Sequence, residues 1–160
     1  MKRIIYPIIA IILLTGLNSC SGYKPVFNFT GFQFEIGNYS ITGNKQLGKK
    51  IYYQLYNLSK VNTENSKNID IAINVSKNKN ATIKNTSGKI LEYNIDLVTK
   101  VNVKDYLTGE NILDHTFNSS SSYKVQDQYS DTIKLENKTT EDLLNKTYED
   151  LLIKLSENLK

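Results

Sequence analysis

Hydrophobic and polar residues alternate most regularly in the middle of the chain. Ile69, Ile71, Ile73 and Val75 interleave with Asp70, Ala72, Asn74 and Ser76, the period of two that a strand with one buried face requires. A second run, Leu91, Tyr93, Ile95, Leu97, Val101 and Val103, repeats the pattern. Between them Thr86-Ser87-Gly88 fits a three-residue hairpin loop with Gly88 in the left-handed conformation. A turn near Leu107-Thr108-Gly109 leads into a fourth strand over Ile112 to Val125. Upstream, Phe32 to Ile36 alternates briefly and predicts a first strand. Gly43-Asn44 then punctuates, Asn44 can cap a helix, and Leu47, Ile51, Leu55 and Leu58 recur at helical spacing. Lys60 to Asn68 is polar apart from Val61 and predicts a loop. Thr139-Thr140-Glu141-Asp142 has the form of a capping box. The helix it opens carries Leu143, Leu144, Tyr148, Leu151, Leu152, Leu155 and Leu159 on one face, with acids in its first turn and Lys160 at its end. The order strand, helix, three strands, helix predicts an α+β two-layer sandwich. Its four-stranded, mainly antiparallel sheet is covered on one face by both amphipathic helices, which buries every apolar stripe.

The first twenty residues follow another logic. Lys2 and Arg3 precede an apolar run from Ile4 to Leu14, followed by Leu17-Asn18-Ser19-Cys20. Basic region, apolar region and small-residue cleavage site make a secretory signal, and the 11-residue apolar run falls short of the ~20 residues of a membrane-spanning helix. Leu at −3, Ser at −1 and Cys at +1 look like a bacterial lipobox, in which the Cys20 sulfur receives a diacylglycerol. Expected boundaries are a signal at 1–19, a lipidated tether at 20–29 and a single domain at 30–160. Ser21 is not the aspartate that retains lipoproteins in an inner membrane, so the expected address is the outer membrane, with the domain held at its inner leaflet.

Composition narrows the chemistry. Cys20 is the only cysteine and His115 the only histidine of 160 residues, which removes disulfides and most Cys/His nucleophile or zinc arrangements. Every cation after Arg3 is a lysine. Residues 45–104 hold eleven lysines against four acids, and residues 105–160 six lysines against eleven acids, giving a basic centre and an acidic final third. Asp70, Asp96 and Asp114 have no metal-binding or paired acid–base spacing. No glycine-rich phosphate loop or Gly-x-Ser-x-Gly elbow is present in the sequence. The expectation is a protein without catalytic activity or cofactor, and its compartment excludes nucleic acid.

Cys20-Ser21-Gly22-Tyr23-Lys24-Pro25-Val26-Phe27 resembles the mature start of the lipopolysaccharide-assembly lipoprotein LptE family. The middle hairpins, a Ser-rich strand ending in Ser119 to Tyr123, and a Leu-rich closing helix also match. Ser21 departs from the pattern by separating Cys20 from Gly22. The resemblance implies a lipoprotein that sits in the lumen of an LptD-type outer-membrane β-barrel, assists its assembly and helps deliver lipopolysaccharide to the outer leaflet. Rival readings are an auxiliary lipoprotein of a phospholipid or solute transport system, and a regulator of a peptidoglycan synthase.

Register arithmetic points to a site. If Asn85 pairs with Lys89, then Lys77 faces Leu97 and Lys79 faces Ile95, on the apolar parity of the sheet. If Tyr106 faces Glu110, Ser119 lies beside Leu97 and Ser121 beside Ile95. Lys77, Lys79, Ser119 and Ser121, with Lys84 and Lys89 near the hairpin tip, would then suit the phosphorylated head of a glycolipid. Replacing Lys77 and Lys79 with Glu is expected to weaken such binding and leave folding intact. Alternatively, a β-bulge between Ser76 and Ala81 turns both lysines to solvent, or they snorkel past the core edge. The chain has eleven tyrosines and no tryptophan. Tyr52, Tyr53, Tyr56, Tyr106, Tyr123 and Tyr129 are not obviously needed for the core and are candidates for a partner interface. His115, on the inward parity opposite Val101, is expected to be a core residue.

Overall fold

The computed structural model describes residues 34–59 and 66–159. Cys20, the signal and the tether lie outside the described residues. Six elements follow in order: β1 (Phe34–Gly43), α1 (Lys45–Ser59), β2 (Lys67–Lys84), β3 (Ile90–Asp105), β4 (Asn111–Lys124) and α2 (Tyr129–Asn158). They form one four-stranded sheet of order β1-β2-β3-β4. β1 runs parallel to β2, and the other two pairs are antiparallel. A parallel pair needs a crossover, which α1 supplies. The architecture is the α+β sandwich expected from the alternation.

Asn44 caps α1 as its side-chain chemistry suggests: Oδ1 accepts the Leu47 N–H at 3.2 Å. Leu47, Ile51 and Leu55 are buried beneath the sheet. Gly48 lets this helix approach closely, since a Cβ there would lie 2.5 Å from Cγ2 of Ile41 on β1. In β2, Ile69, Ile71, Ile73 and Val75 are all buried, and in β3 so are Ile95, Leu97, Val101 and Val103. Fully burying a side chain of this size contributes ~1.5–3 kcal/mol, so these rows hold the sandwich together. The opposite sheet face carries Asp70, Asn74, Ser76, Asn102, Thr116, Asn118 and Ser120, the polar pattern of an antiparallel sheet with one open side.

Three sequence expectations need correction. β1 runs on to Gly43, well beyond Ile36, with a register shift at Gly37-Asn38. α2 begins ten residues before the expected capping box and continues for 30 residues. Thr139 and Thr140 are therefore interior, and Thr140 Oγ1 donates to the Glu136 carbonyl at 2.8 Å instead of capping. The reason is chemical: Thr132, Thr140 and Thr147 extend the buried stripe with hydroxyls satisfied by carbonyls four residues back. A search for apolar residues passes over them. Third, His115 pairs with Val101 but is exposed. β4 is an edge strand, and its neighbours Leu113 and Phe117 fill the space under the helix; His115 rests edge-on against the Phe117 ring at 4.7 Å.

Candidate functional site

The β2–β3 hairpin closes as expected. Asn85 N–H donates to the Lys89 carbonyl at 2.9 Å, and Gly88 has φ +82°. Register then runs unbroken from Ile69 to Ala81, with Lys77 opposite Leu97 and Lys79 opposite Ile95. The irregularities lie beyond, between Ala81 and Lys84, so no bulge turns the lysines over. At the other turn Asp105 N–H donates to the Glu110 carbonyl, one position off the expected closing pair. An irregularity between Val103 and Lys104 restores the register, and Ser119 faces Leu97 and Ser121 faces Ile95.

Both lysines therefore point under the sheet, where α2 meets them with a residue that sequence reasoning missed. Glu136 accepts from Lys77 Nζ at 3.0 Å through Oε1, and from Lys79 Nζ at 2.6 Å and Tyr123 Oη at 3.0 Å through Oε2. Lys79 Nζ also sits 4.2 Å from the centre of the Tyr93 ring, a cation–π contact, and Tyr93 stacks on Tyr123 at 5.8 Å. Burial works to raise the Glu136 carboxyl. The hydrogen bonds from Lys79, Lys77 and Tyr123 outweigh it and hold the group down at about 2. The same bond to Glu136 holds Lys79 above its ordinary value against the opposing effect of burial. Burial, with Glu136 close by, raises Tyr123. One carboxylate between two ammoniums leaves the cluster with a charge of +1.

The cluster's chemistry differs from the expected one. Lys77 and Lys79 bond across from the sheet to Glu136 of α2, so replacing both with Glu sets carboxylates against Glu136, and the double variant is expected to test folding as well as binding. Ser119 Oγ lies 3.4 Å from Thr147 Oγ1, and Ser121 is half-buried. Lys84 and Lys89 are exposed at the hairpin tip, five or more residues from Lys79 and outside this cluster. Beside Lys77 a polar cleft of ≈ 430 Å³ opens between the helices, where Asn44 and Lys50 face Asn137, Thr140 and Glu141. Its ammoniums and amides can bind an anionic or hydroxylated group that reaches Lys77 from outside.

The six candidate tyrosines do not share one surface. Tyr52 is buried and stacks on Tyr39 at 4.1 Å and Tyr56 at 5.7 Å, with Tyr53 against it at 5.6 Å. Burial and its tyrosine neighbours raise the Tyr52 hydroxyl. Tyr39 and Tyr53 are exposed, so this aromatic cluster forms one patch at the β1 edge. Tyr123 belongs to the Glu136 cluster, Tyr129 opens α2, and Tyr106 lies in the β3–β4 turn at the other end of the sheet. Glu136 has a signal only once Thr132 and Thr140 are known to be buried. It stands four residues from both Thr132 and Thr140, on the buried side of α2, where a carboxylate calls for a cation on the facing strand.

No family model matches the chain, and no curated protein matches it. Solved structures do. The rare lipoprotein B from Shewanella oneidensis is similar over 76% of this chain and 95% of its own, at 13% identity and a TM-score of 0.54. The uncharacterized lipoprotein B from Nitrosomonas europaea is similar over 82% of this chain and 88% of its own, at 16% identity and a TM-score of 0.55. At such identities the likeness is one of fold.

Proposed function

We propose that the protein is an outer-membrane lipoprotein that plugs and assists assembly of an LptD-type β-barrel and helps deliver lipopolysaccharide to the outer leaflet. One conjunction carries the reading: a lipobox ending at Cys20 precedes a β-α-β-β-β-α domain whose fold is shared with proteins described as lipoproteins. The open sheet face supports it. Its Asn, Ser and Thr side chains suit the polar inner wall of a barrel, where an apolar face would remain unsatisfied. The Tyr39–Tyr52–Tyr53–Tyr56 patch adds rigid amphipathic contact area. The cleft beside Lys77, with Lys50, is where a phosphorylated sugar head would meet cations. Lys84 and Lys89, exposed and with ammonium groups that make no hydrogen bond or ion pair among the described residues, add attraction at longer range.

The test is a gentle-detergent purification of the tagged, acylated protein from native outer membranes. A stoichiometric, heat-modifiable large β-barrel as the main partner is expected. Recovery alone, or with an inner-membrane transporter or a peptidoglycan synthase, would replace this reading with one of its rivals.

A further inference from the structure

The two turns of the meander lie at opposite ends of the sheet and differ in chemistry. β2 begins at Lys67, paired with Phe34 at the start of β1, and ends at Lys84 beside the tip Thr86-Ser87-Gly88. That tip is polar, and the exposed apolar residues nearest it, Ile83 and Leu91, are set back behind Lys84 and Lys89. The β3–β4 turn lies at the Phe34 end, because Ile69 pairs with Asp105 and Tyr106 N–H donates to the Asn68 carbonyl at 3.0 Å. This turn presents Leu107, 83% exposed, and Tyr106, 49% exposed. Leu107 is not loosely held. The Asp105 carboxylate accepts the N–H groups of Leu107 and Thr108 at 2.9 and 3.0 Å, Gly109 takes φ +71°, and the Tyr106 ring lies where a Cβ on Gly37 would come within 2.9 Å of it. A tightly built turn thus projects a leucine into solvent beside an amphipathic tyrosine.

We infer that in the free lipoprotein, before a barrel encloses it, the Tyr106-Leu107 turn dips into the phospholipid leaflet that holds the Cys20 anchor, so that the domain stands on that turn with the β2–β3 hairpin pointing away from the bilayer. The inference rests on the lipoprotein reading and adds an orientation to it. Thirteen residues separate Cys20 from Phe34 and reach at most about 45 Å. The 18 residues of β2 span about 60 Å. The tether is shorter than the sheet is long, so the Phe34 end, where Leu107 lies, is the end held near the lipid. This end carries no excess of cations: Lys67 and Lys104 stand against Asp105 and Glu110, with Glu35 and Asp70 nearby. Contact is therefore apolar, with the tyrosine at headgroup level, and needs no anionic lipid.

The chain's lack of tryptophan makes a clean test possible. Acylated mature protein carrying L107W or I83W is reconstituted into vesicles of phosphatidylcholine and phosphatidylethanolamine, with and without lipids brominated on the acyl chains. The emission of L107W is expected to move to shorter wavelength on reconstitution and to be quenched several-fold more than that of I83W, independent of salt. Emission from L107W that stays water-like, or quenching of I83W equal to or greater than that of L107W, overturns the proposal. Mass analysis of the N-terminus separates this from the parent reading. An unacylated Cys20 refutes the lipoprotein, and its thiol can then be coupled to a maleimide phospholipid so that the same quenching ratio still decides the orientation.

Discussion

The two halves of the sheet–helix interface use the same strands and the same parity but different chemistry. Towards the Phe34 end, Ile69, Ile71, Ile73 and Val75 meet Leu55, Leu151, Leu152 and Leu155 in a core without charge. Towards the hairpin, the next two inward positions of β2 are Lys77 and Lys79. The helix above them answers with Thr132, Glu136 and Thr140 in place of leucines. The first half is held by area removed from water and tolerates small shifts of angle. The second depends on one carboxylate that must reach three donors, so its geometry is specified more narrowly and its strength depends on protonation. A long helix can be stapled at one end by a core and at the other by a partly buried ion cluster, and only the first end is visible as hydrophobicity.

Mutations separate the halves. The largest effect belongs to the apolar half: Leu151→Ala or Leu55→Ala, at fully buried positions, is expected to cost about 3 kcal/mol by losing transfer energy and leaving a cavity, read as a lower urea midpoint. Glu136→Gln comes next. It leaves two ammoniums without their counter-charge in a site where Lys77 and Glu136 are each four-fifths covered, and costs about 2 kcal/mol. A loss under a few tenths of a kcal/mol would show that the ion cluster does not hold the helix.

Acid titration distinguishes the same two halves. The Glu136 carboxyl is held at about 2 against an ordinary 4.5. Its value is lower in the folded chain, so its stabilisation is complete above pH 4.5 and is lost as the pH falls from there through 2. Unfolding midpoints measured between pH 7 and 2.5 are expected to fall for the native chain and, over that last interval, to fall less for Glu136→Gln. Leu151→Ala should keep the native slope.

A smaller effect has the opposite sign. Thr99 is fully buried in the middle of the apolar half, and its hydroxyl has no hydrogen-bond partner among the described residues. Thr99→Val keeps the shape, removes the desolvated hydroxyl and is expected to raise stability by about 1 kcal/mol. Lost stability would mean that the hydroxyl is satisfied after all. Smallest of all, Lys84→Gln and Lys89→Gln, on the exposed tip, are expected to change stability by no more than about 0.5 kcal/mol. Any loss of anion binding in these variants is therefore read without a change in folding.

Much of the fold is readable in the sequence, and each departure from it has its own physical cause. Strand alternation, both hairpins, the Asn44 cap and the facing of Lys77 and Lys79 all follow from local periodicity, because a period of two fixes which side every residue takes once one turn is placed. The start of α2 was misplaced because a threonine can be buried in a helix when its hydroxyl bonds back to the preceding turn, and residue type alone does not announce that. His115 was misplaced because parity says which face a residue takes, not how far a helix covers that face. The candidate tyrosines were grouped by type, but Tyr52 and Tyr123 are buried on different elements, and Tyr106 is at the far end.

The sequence by itself determined the element order and the buried and open faces of the sheet, since each depends on residues near one another along the chain. The tertiary structure decided which acid answers the inward lysines, how far the last helix reaches, and that the Leu107 turn shares an end of the sheet with Phe34. Each of these is a meeting between segments tens of residues apart, 57 in the case of Lys79 and Glu136. Such meetings are fixed by the packing of whole elements, which no local pattern encodes.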